Sequence, residues 1–165
     1  MTITKAKQNL CPCDSGLSLG SCCLPLITYQ RPAESPEALM RSRYSAFVLQ
    51  NVEYLLASQA EQERPVDQRS RLESTIKTFS WLALHIVACQ SEPFDPDGAW
   101  VEFVAFYQQG GNIHQLHEKS VFVLRGQQWY YLEGDILAGR IWRRNEPCWC
   151  RSGKKTKKCH GQSFA

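Results

Sequence analysis

The stretch Ser35-Pro-Glu-Ala-Leu-Met-Arg-Ser-Arg-Tyr-Ser-Ala-Phe-Val48 and the later runs Ser80-Trp-Leu-Ala-Leu-His-Ile-Val-Ala-Cys89 and Trp100-Val-Glu-Phe-Val-Ala-Phe-Tyr107 differ in period, and that difference decides the fold. In the first, Ser35 is placed to cap a helix, Pro36 to fill its first position and Glu37 to set an acid in its first turn. Met40, Tyr44, Phe47, Val48 and Leu55 keep helical spacing, which predicts one long helix over roughly 36–59. The polar stretch from Ser58 to Pro65 ends it. A second helix is predicted near 67–79, with Leu72, Ile76 and Phe79 on one face and Arg69, Glu73 and Lys77 as i,i+4 pairs on the other.

Beyond residue 79 the chain reads as strands. Residues 80–89 are densely apolar, and 100–107 are rich in aromatic and β-branched side chains. Two further strands are predicted over 113–124 and 128–133. Asp95-Pro-Asp-Gly98, Gly110-Gly111-Asn112 and Arg125-Gly126-Gln127 supply the turns. Helices followed by a run of antiparallel strands give an α+β fold, with the long helix packed across a curved sheet.

Around this middle, the 165 residues are 43% hydrophobic and 21% charged, which excludes a disordered chain or a coiled-coil rod. No stretch reaches the ~18 apolar residues of a membrane span. Met1 to Leu10 lacks an apolar signal core, so a cytoplasmic chain with reduced thiols is expected. The net charge of +3 is unevenly spread. Residues 140–165 hold eight basic residues and one acid, Glu146; that tail is +7 and the rest is −4.

Seven of the eight cysteines fall in two short clusters. Cys11-Pro-Cys13 is followed after eight residues by Cys22-Cys23, and Cys148-Trp-Cys150 after eight residues by Cys159-His160. Ser15-Gly16 and Ser152-Gly153 follow each Cys-x-Cys. Zinc takes four thiolate or imidazole ligands in a tetrahedron, and each cluster supplies four. A closed set leaves no position for water, so the reading is two structural zinc ions, held by Cys11, Cys13, Cys22 and Cys23 and by Cys148, Cys150, Cys159 and His160. Cys89, in an apolar run, is expected to be a buried core thiol.

The two clusters resemble SEC-C motifs, the zinc modules at the C-terminus of the SecA translocation ATPase. The second copy, Cys148-Trp-Cys-Arg-Ser-Gly-Lys-Lys-Thr-Lys-Lys-Cys-His-Gly161, matches the familiar pattern except at Trp149, where proline is usual, and Arg151, where glycine is usual. A SEC-C motif at each end of such a domain resembles the bacterial YchJ family. Its middle is similar to nuclear-transport-factor-2-like (cystatin-like) domains, as Leu39-Met-Arg-Ser-Arg-Tyr-Ser-Ala-Phe47, Val101-Glu-Phe-Val-Ala105 and His117-Glu-Lys-Ser120 suggest. Read from the residues as well, the chain divides into three parts, a zinc module over 1–29, the α+β domain over 30–138 and a second zinc module over 139–165, with Pro25–Pro36 and Gly134–Arg144 as connectors. The resemblance brings no established reaction.

In the middle domain, strand alternation sends His114 and His117 to opposite faces. Glu118 and Ser120 would then share a face, and Glu102, alternating with Trp100, Val104 and Phe106, could face the same cavity. Arg41 and Arg43 flank the helix stripe and could reach in as counter-charges. The bland alternative leaves these charges in solvent with their stems over apolar surface. His85 is expected to be a satisfied core or edge histidine, and Trp129, Tyr130 and Tyr131 to pack as core aromatics. No catalytic residue and no organic cofactor are assigned.

The favoured function is a non-enzymatic zinc adaptor. The SEC-C resemblance implies protein partners, such as the translocation chaperone or ribosome-associated factors. The alternatives are nucleic-acid or ribosomal-RNA binding by the basic tail, and ligand binding or catalysis in the central cone pocket.

Overall fold

The computed structural model describes residues 10–61, 64–91 and 99–161. Among the described residues, four α-helices precede one sheet: α1 Leu24–Ile27, α2 Pro36–Val48, α3 Val52–Ala57 and α4 Gln68–Thr78. Strands β1 Ser80–Gln90, β2 Ala99–Gln109, β3 Asn112–Arg125 and β4 Gln128–Ile136 then form an antiparallel meander in chain order. The α+β prediction therefore holds, and the four strands fall where alternation places them. Gly110 and Gly111, both at positive φ, make the tight turn between β2 and β3 that the sequence indicates. The predicted Asp95–Gly98 turn lies outside the described residues.

The expectation of one long helix fails. The helix from 36 to 59 is two helices. The Asn51 N–H bonds to the Ala46 carbonyl and the Gln50 N–H to the Phe47 carbonyl, at 2.8 and 3.2 Å. This is the hydrogen-bond pattern of a Schellman stop, and Gln50 takes the left-handed position with φ of 59°. Asn51 then caps α3, its side chain accepting from the Tyr54 N–H. The apolar spacing survives the break, which is why periodicity alone reads straight through it. The same device ends α1: Gln30 bonds back to Pro25, and Tyr29 stands at φ of 58°. That helix overlaps the start of the segment read as connector.

The start of α2 is as predicted, with the Ser35 side chain accepting from the Ala38 N–H at 3.1 Å. In α4, Leu72 is buried and Ile76 packs on the core, but Arg69 pairs with Glu53 of α3 rather than along its own helix. Phe79 packs at a tilt on Tyr107, with ring centroids 4.6 Å apart, and meets Trp81 edge-on.

The sheet carries apolar side chains on both faces. Leu84, Val101, Phe103 and Phe122 face the helices and join Leu39, Tyr44 and Leu55 in the main core. Cys11, Cys13, Cys23, Leu26 and Ile27 belong to that same core. Ala83, Val104 and Phe106 face the other way and are covered by Trp142, Cys148 and Trp149. Phe106 stacks on Trp149 with ring centroids 4.3 Å apart. The two terminal clusters thus pack against the sheet domain, one through its main core and the other across its far face.

Replacing Gln50 with glycine should relieve the left-handed backbone without touching a buried contact, since Gln50 is exposed. Urea unfolding should show a gain of about 0.5–1 kcal/mol for Gln50→Gly and a loss for Gln50→Val.

Candidate metal centres and central cavity

The two clusters are the same structure built twice. A bridge pairs Leu10 with Ser18, and its counterpart pairs Pro147 with Lys155. The Cys11 N–H bonds to the Leu17 carbonyl at 2.8 Å, and the Cys148 N–H to the Lys154 carbonyl at 2.9 Å. Short 3-10 turns, Leu19–Ser21 and Thr156–Lys158, deliver the second ligand pair. Ser15 Oγ lies 3.2 Å from Cys22 Sγ, and Ser152 Oγ 3.3 Å from Cys159 Sγ. Gly16 and Gly153 both have positive φ, 80° and 76°.

Each turn brings its four predicted side chains together. The Sγ atoms of Cys11, Cys13, Cys22 and Cys23 lie within 4.8 Å of one another, as do the sulfurs of Cys148, Cys150 and Cys159 with a ring nitrogen of His160. All eight cysteines are free thiols. Both groups could therefore hold one metal ion. The first is more deeply set: Cys11, Cys13 and Cys23 are buried, while Cys159 and His160 are exposed. Burial above all, reinforced by the Cys13 sulfur, pushes the Cys22 thiol up to about 11. Four crowded sulfurs resist ionising together unless a cation joins them.

Asp14 and Arg151 occupy the same position in the two copies, directly after Cys-x-Cys. Both are left-handed, with φ of 60° and 55°. Glycine would hold that conformation without steric cost; here two charged side chains hold it and use it to meet. Asp14 Oδ2 accepts from the Leu84 N–H at 2.9 Å, and Arg151 Nη2 donates to the Leu84 carbonyl at 2.9 Å. Arg151 Nη1 donates to the Asp14 carbonyl, and Arg151 Nε stands 3.8 Å from Asp14 Oδ2. β1 is an edge strand. The two modules together satisfy the main-chain groups that its edge exposes at Leu84. His85 is held as expected, its Nε2 2.6 Å from the Trp149 carbonyl oxygen and its ring edge-on to Trp142.

Between α2, α4 and the sheet lies a cavity of ≈220 Å³. Arg43, Glu118 and Ser120 line it, together with aromatic residues. Three expectations need correction here. Glu102 faces away: it is in register with Lys119, while Phe103 is in register with Glu118, and the Glu102 carboxylate meets His117 Nε2 at 2.7 Å on the far face. Arg41 turns to the first cluster, donating to the Cys13 carbonyl at 2.7 Å and to Glu37. Cys89 is exposed on the edge strand, its sulfur 3.7 Å from Glu37 Oε2, because a strand edge leaves an apolar run half uncovered. Arg43 does reach in. It is buried, its Nη1 donates to the Leu55 carbonyl and Ser58 Oγ, and its guanidinium lies over Tyr131 at 4.5 Å. Ser120 Oγ donates to Glu118 Oε1 at 2.6 Å. Burial raises the Glu118 carboxyl above its ordinary range, against the opposing pull of Ser120 and Arg43. No local pattern marks Gly134, whose missing side chain makes room for that carboxylate: a Cβ there would collide with Glu118 Oε1.

A nuclear-transport-factor-2-like domain carrying a SEC-C motif is the class these observations define. The family model of the YchJ middle NTF2-like domain matches residues 35–134, and that of the SEC-C motif matches 144–162. A UPF0225 protein of Pectobacterium carotovorum is 40% identical, over 92% of this chain and 97% of its own length. A second, from Photorhabdus laumondii, is 38% identical over 92% of this chain and 98% of its own. The solution structure of a SEC-C motif containing protein from Rhodopseudomonas palustris superposes with a TM-score of 0.70 at 31% identity, covering 78% of this chain and 98% of that one. The crystal structure of another such protein, from Psychrobacter arcticus, gives 0.60 at 28% identity, covering 93% and 96%. The chain belongs to the YchJ family. The SEC-C model stops at the second cluster; the first is tied to it by the repeated geometry above.

Two outcomes follow. In a double-mutant cycle by urea unfolding, Asp14→Gly and Arg151→Gly should each cost stability although glycine suits the backbone. Their coupling should be about 0.5–1 kcal/mol, modest because both side chains are partly exposed. For Glu118, the folded state holds its proton more tightly than the unfolded chain, whose carboxyl titrates near ~4.3. Its stabilising contribution is therefore present below that value and lost as pH rises through the higher folded value. The melting temperature of Glu118→Gln relative to wild type should climb as the pH is raised from the unfolded carboxyl range to neutrality.

Proposed function

We propose that the chain is a non-enzymatic adaptor in which two structural zinc ions shape the terminal modules, and the C-terminal one presents a cationic surface to a protein partner. The observation that carries this reading is the spacing of the donors. Zinc bonded to sulfur at ~2.3 Å in a tetrahedron sets ligand sulfurs ~3.8 Å apart. Cys13 and Cys22 are 3.6 Å apart, Cys22 and Cys23 3.7 Å, and Cys150 and Cys159 3.5 Å. His160 Nδ1 lies 3.2 Å from Cys148 Sγ and 3.3 Å from Cys159 Sγ, in keeping with the shorter bond zinc makes to nitrogen. Four ligands close each set, which suits an ion that holds shape rather than one that activates water.

Lys154, Lys155, Lys157 and Lys158 stand on the excursion between the ligand pairs, all exposed, around the buried Thr156. Thr156 ties that excursion down, its N–H and Oγ1 both bonded to the Glu146 carbonyl. A protonated ammonium has no lone pair for a metal, so the lysines are free to face a partner. The reading is of an acidic protein surface as that partner; among the described residues no helix is long and apolar enough to cross a membrane.

Elemental analysis of reduced, purified protein should give about two zinc ions per chain, one for each closed set, and His160→Ala should lower that value. A variant with all four lysines changed to glutamine should keep both ions yet lose partners in a pull-down from bacterial lysate. Retained protein partners would count against the lysine surface. Loss confined to RNA, with a steep dependence on salt, would favour the nucleic-acid alternative.

A further inference from the structure

We propose that the open end of β4, in the groove between the exit of α1 and the β3–β4 turn, takes up an extended acidic segment of a partner protein as an added strand. The sheet has two edges, β1 and β4. The β1 edge is closed at Leu84 by Asp14 and Arg151. The β4 edge is closed by the chain itself, but only in its middle. The Tyr131 N–H donates to the Ser58 carbonyl at 2.9 Å, and the Tyr131 carbonyl accepts from the Ala60 N–H at 2.8 Å. Residues 58–60 thus lie along β4 as a short parallel cover, bridged from Gln59 to Tyr131.

Hydrogen-bond parity then decides Trp129. In an antiparallel pair, successive residues send their main-chain groups alternately toward the neighbouring strand and away from it. Tyr131 points away. The register from Phe122–Tyr131 through Val123–Tyr130 to Leu124–Trp129 is unbroken, so the N–H and C=O of Trp129 point outward as well, while those of Tyr130 face β3. Among the described residues no group is bonded to the Trp129 main chain on that outer side. An open donor and acceptor on a strand edge are what an incoming strand satisfies.

The space beside them is sized and charged for such a guest. The groove measures ≈450 Å³, within the ~300–1,000 Å³ usual for binding sites. Trp129 and Tyr130 of β4 line it, as do Tyr29 and Arg31 beyond α1, and Ser58, where the chain's own cover begins. It shares no lining residue with the cavity between α2, α4 and the sheet. Arg31 and Arg125 line it, and no carboxylate does. Arg125 is exposed and makes no ion pair among the described residues; Arg31 meets only the exposed Glu34. The groove is therefore cationic and selects an acidic segment. The Tyr29 ring, 61% exposed, offers an apolar surface for the side chains that alternate with the acids. A nucleic acid would meet the arginines, but its sugar–phosphate backbone has no N–H for the Trp129 carbonyl. None of these residues enters the zinc or lysine reading.

The test is a nuclear magnetic resonance titration of the full nitrogen-15-labelled chain with a short, end-blocked peptide alternating glutamate and valine. The peptide should bind saturably and shift the Arg31, Arg125 and Trp129 amides. At saturation, exchange of the Trp129 amide with solvent should slow about tenfold or more, the scale of one new main-chain hydrogen bond, while the Tyr130 amide, already bonded within the sheet, should not change. The same peptide with lysine for glutamate should bind about fivefold or more weaker. The double variant Arg31→Glu with Arg125→Glu should invert that preference; both residues are exposed, so the fold is kept. Changing Lys154, Lys155, Lys157 and Lys158 to glutamine should leave the binding in place, which separates this site from the lysine surface. The proposal is overturned if the peptide does not saturate, if the Trp129 amide exchanges as before, if the lysine peptide binds as well, or if the preference survives the double variant. It is also overturned if the lysine-to-glutamine variant loses the binding, if an oligouridylate occupies the groove more tightly than the peptide, or if sedimentation shows a second copy of the chain excluding the peptide from it.

Discussion

Leu84 sits at the middle of an edge strand, and its main-chain N–H and C=O are taken by Asp14 and Arg151. An uncovered edge is a template for pairing with another chain. Here it is closed by two side chains from opposite ends of the sequence, which also bond to each other. The terminal modules therefore meet on the sheet and not merely beside it. Much of the remaining architecture follows from that anchorage. The first module contributes to the helix-side core, and the second lays Trp149 on Phe106 across the far face. A sheet with two apolar faces needs two covers; the helices supply one and the C-terminal module contributes to the other.

The meeting depends on a backbone conformation that the ligand turn imposes. After each Cys-x-Cys the chain must turn with positive φ, and glycine is the residue that does so without steric cost. This chain places Asp14 and Arg151 there, accepting roughly 1 kcal/mol or more of strain at each. The left-handed turn throws these side chains outward from the cluster, toward β1. Cysteine cluster and sheet edge are thereby joined by adjacent residues: the residue that follows the second cysteine is the one that grips the strand.

The cavity is built on a different balance. β1 has two register shifts against β2, and β3 has one against β4, irregularities of the kind that curve a sheet and open space on its concave side. The space so left is lined by rings, with Arg43 and Glu118 inside it. Arg43 is tolerated because its charge is spread over a carbonyl, a hydroxyl and the face of Tyr131. Glu118 is tolerated because Ser120 donates to it and because Gly134 has no side chain to displace it. Apart from Ser120, which strand alternation places on the face of Glu118, none of these partners is a sequence neighbour in the sense that periodicity detects.

Features that arise from local chemistry were legible in the order of the residues alone. Ligand spacing is local, so both fourfold clusters were legible from two short stretches. Alternation is local, so four strands and their glycine turn were legible, as were the α2 cap and the opposite facing of His114 and His117. The break at Gln50 was not, because a glutamine stands where the stop usually takes glycine and the apolar spacing continues across it. Relations across strands and between the two ends arose only on folding. Register put Glu102 with His117 instead of Glu118, the edge position of β1 exposed Cys89, and packing turned Arg41 toward Cys13 while Arg43 went inward. The bond between Asp14 and Arg151 belongs to the same group: two residues 137 positions apart meet only when the folded sheet brings both modules to one edge.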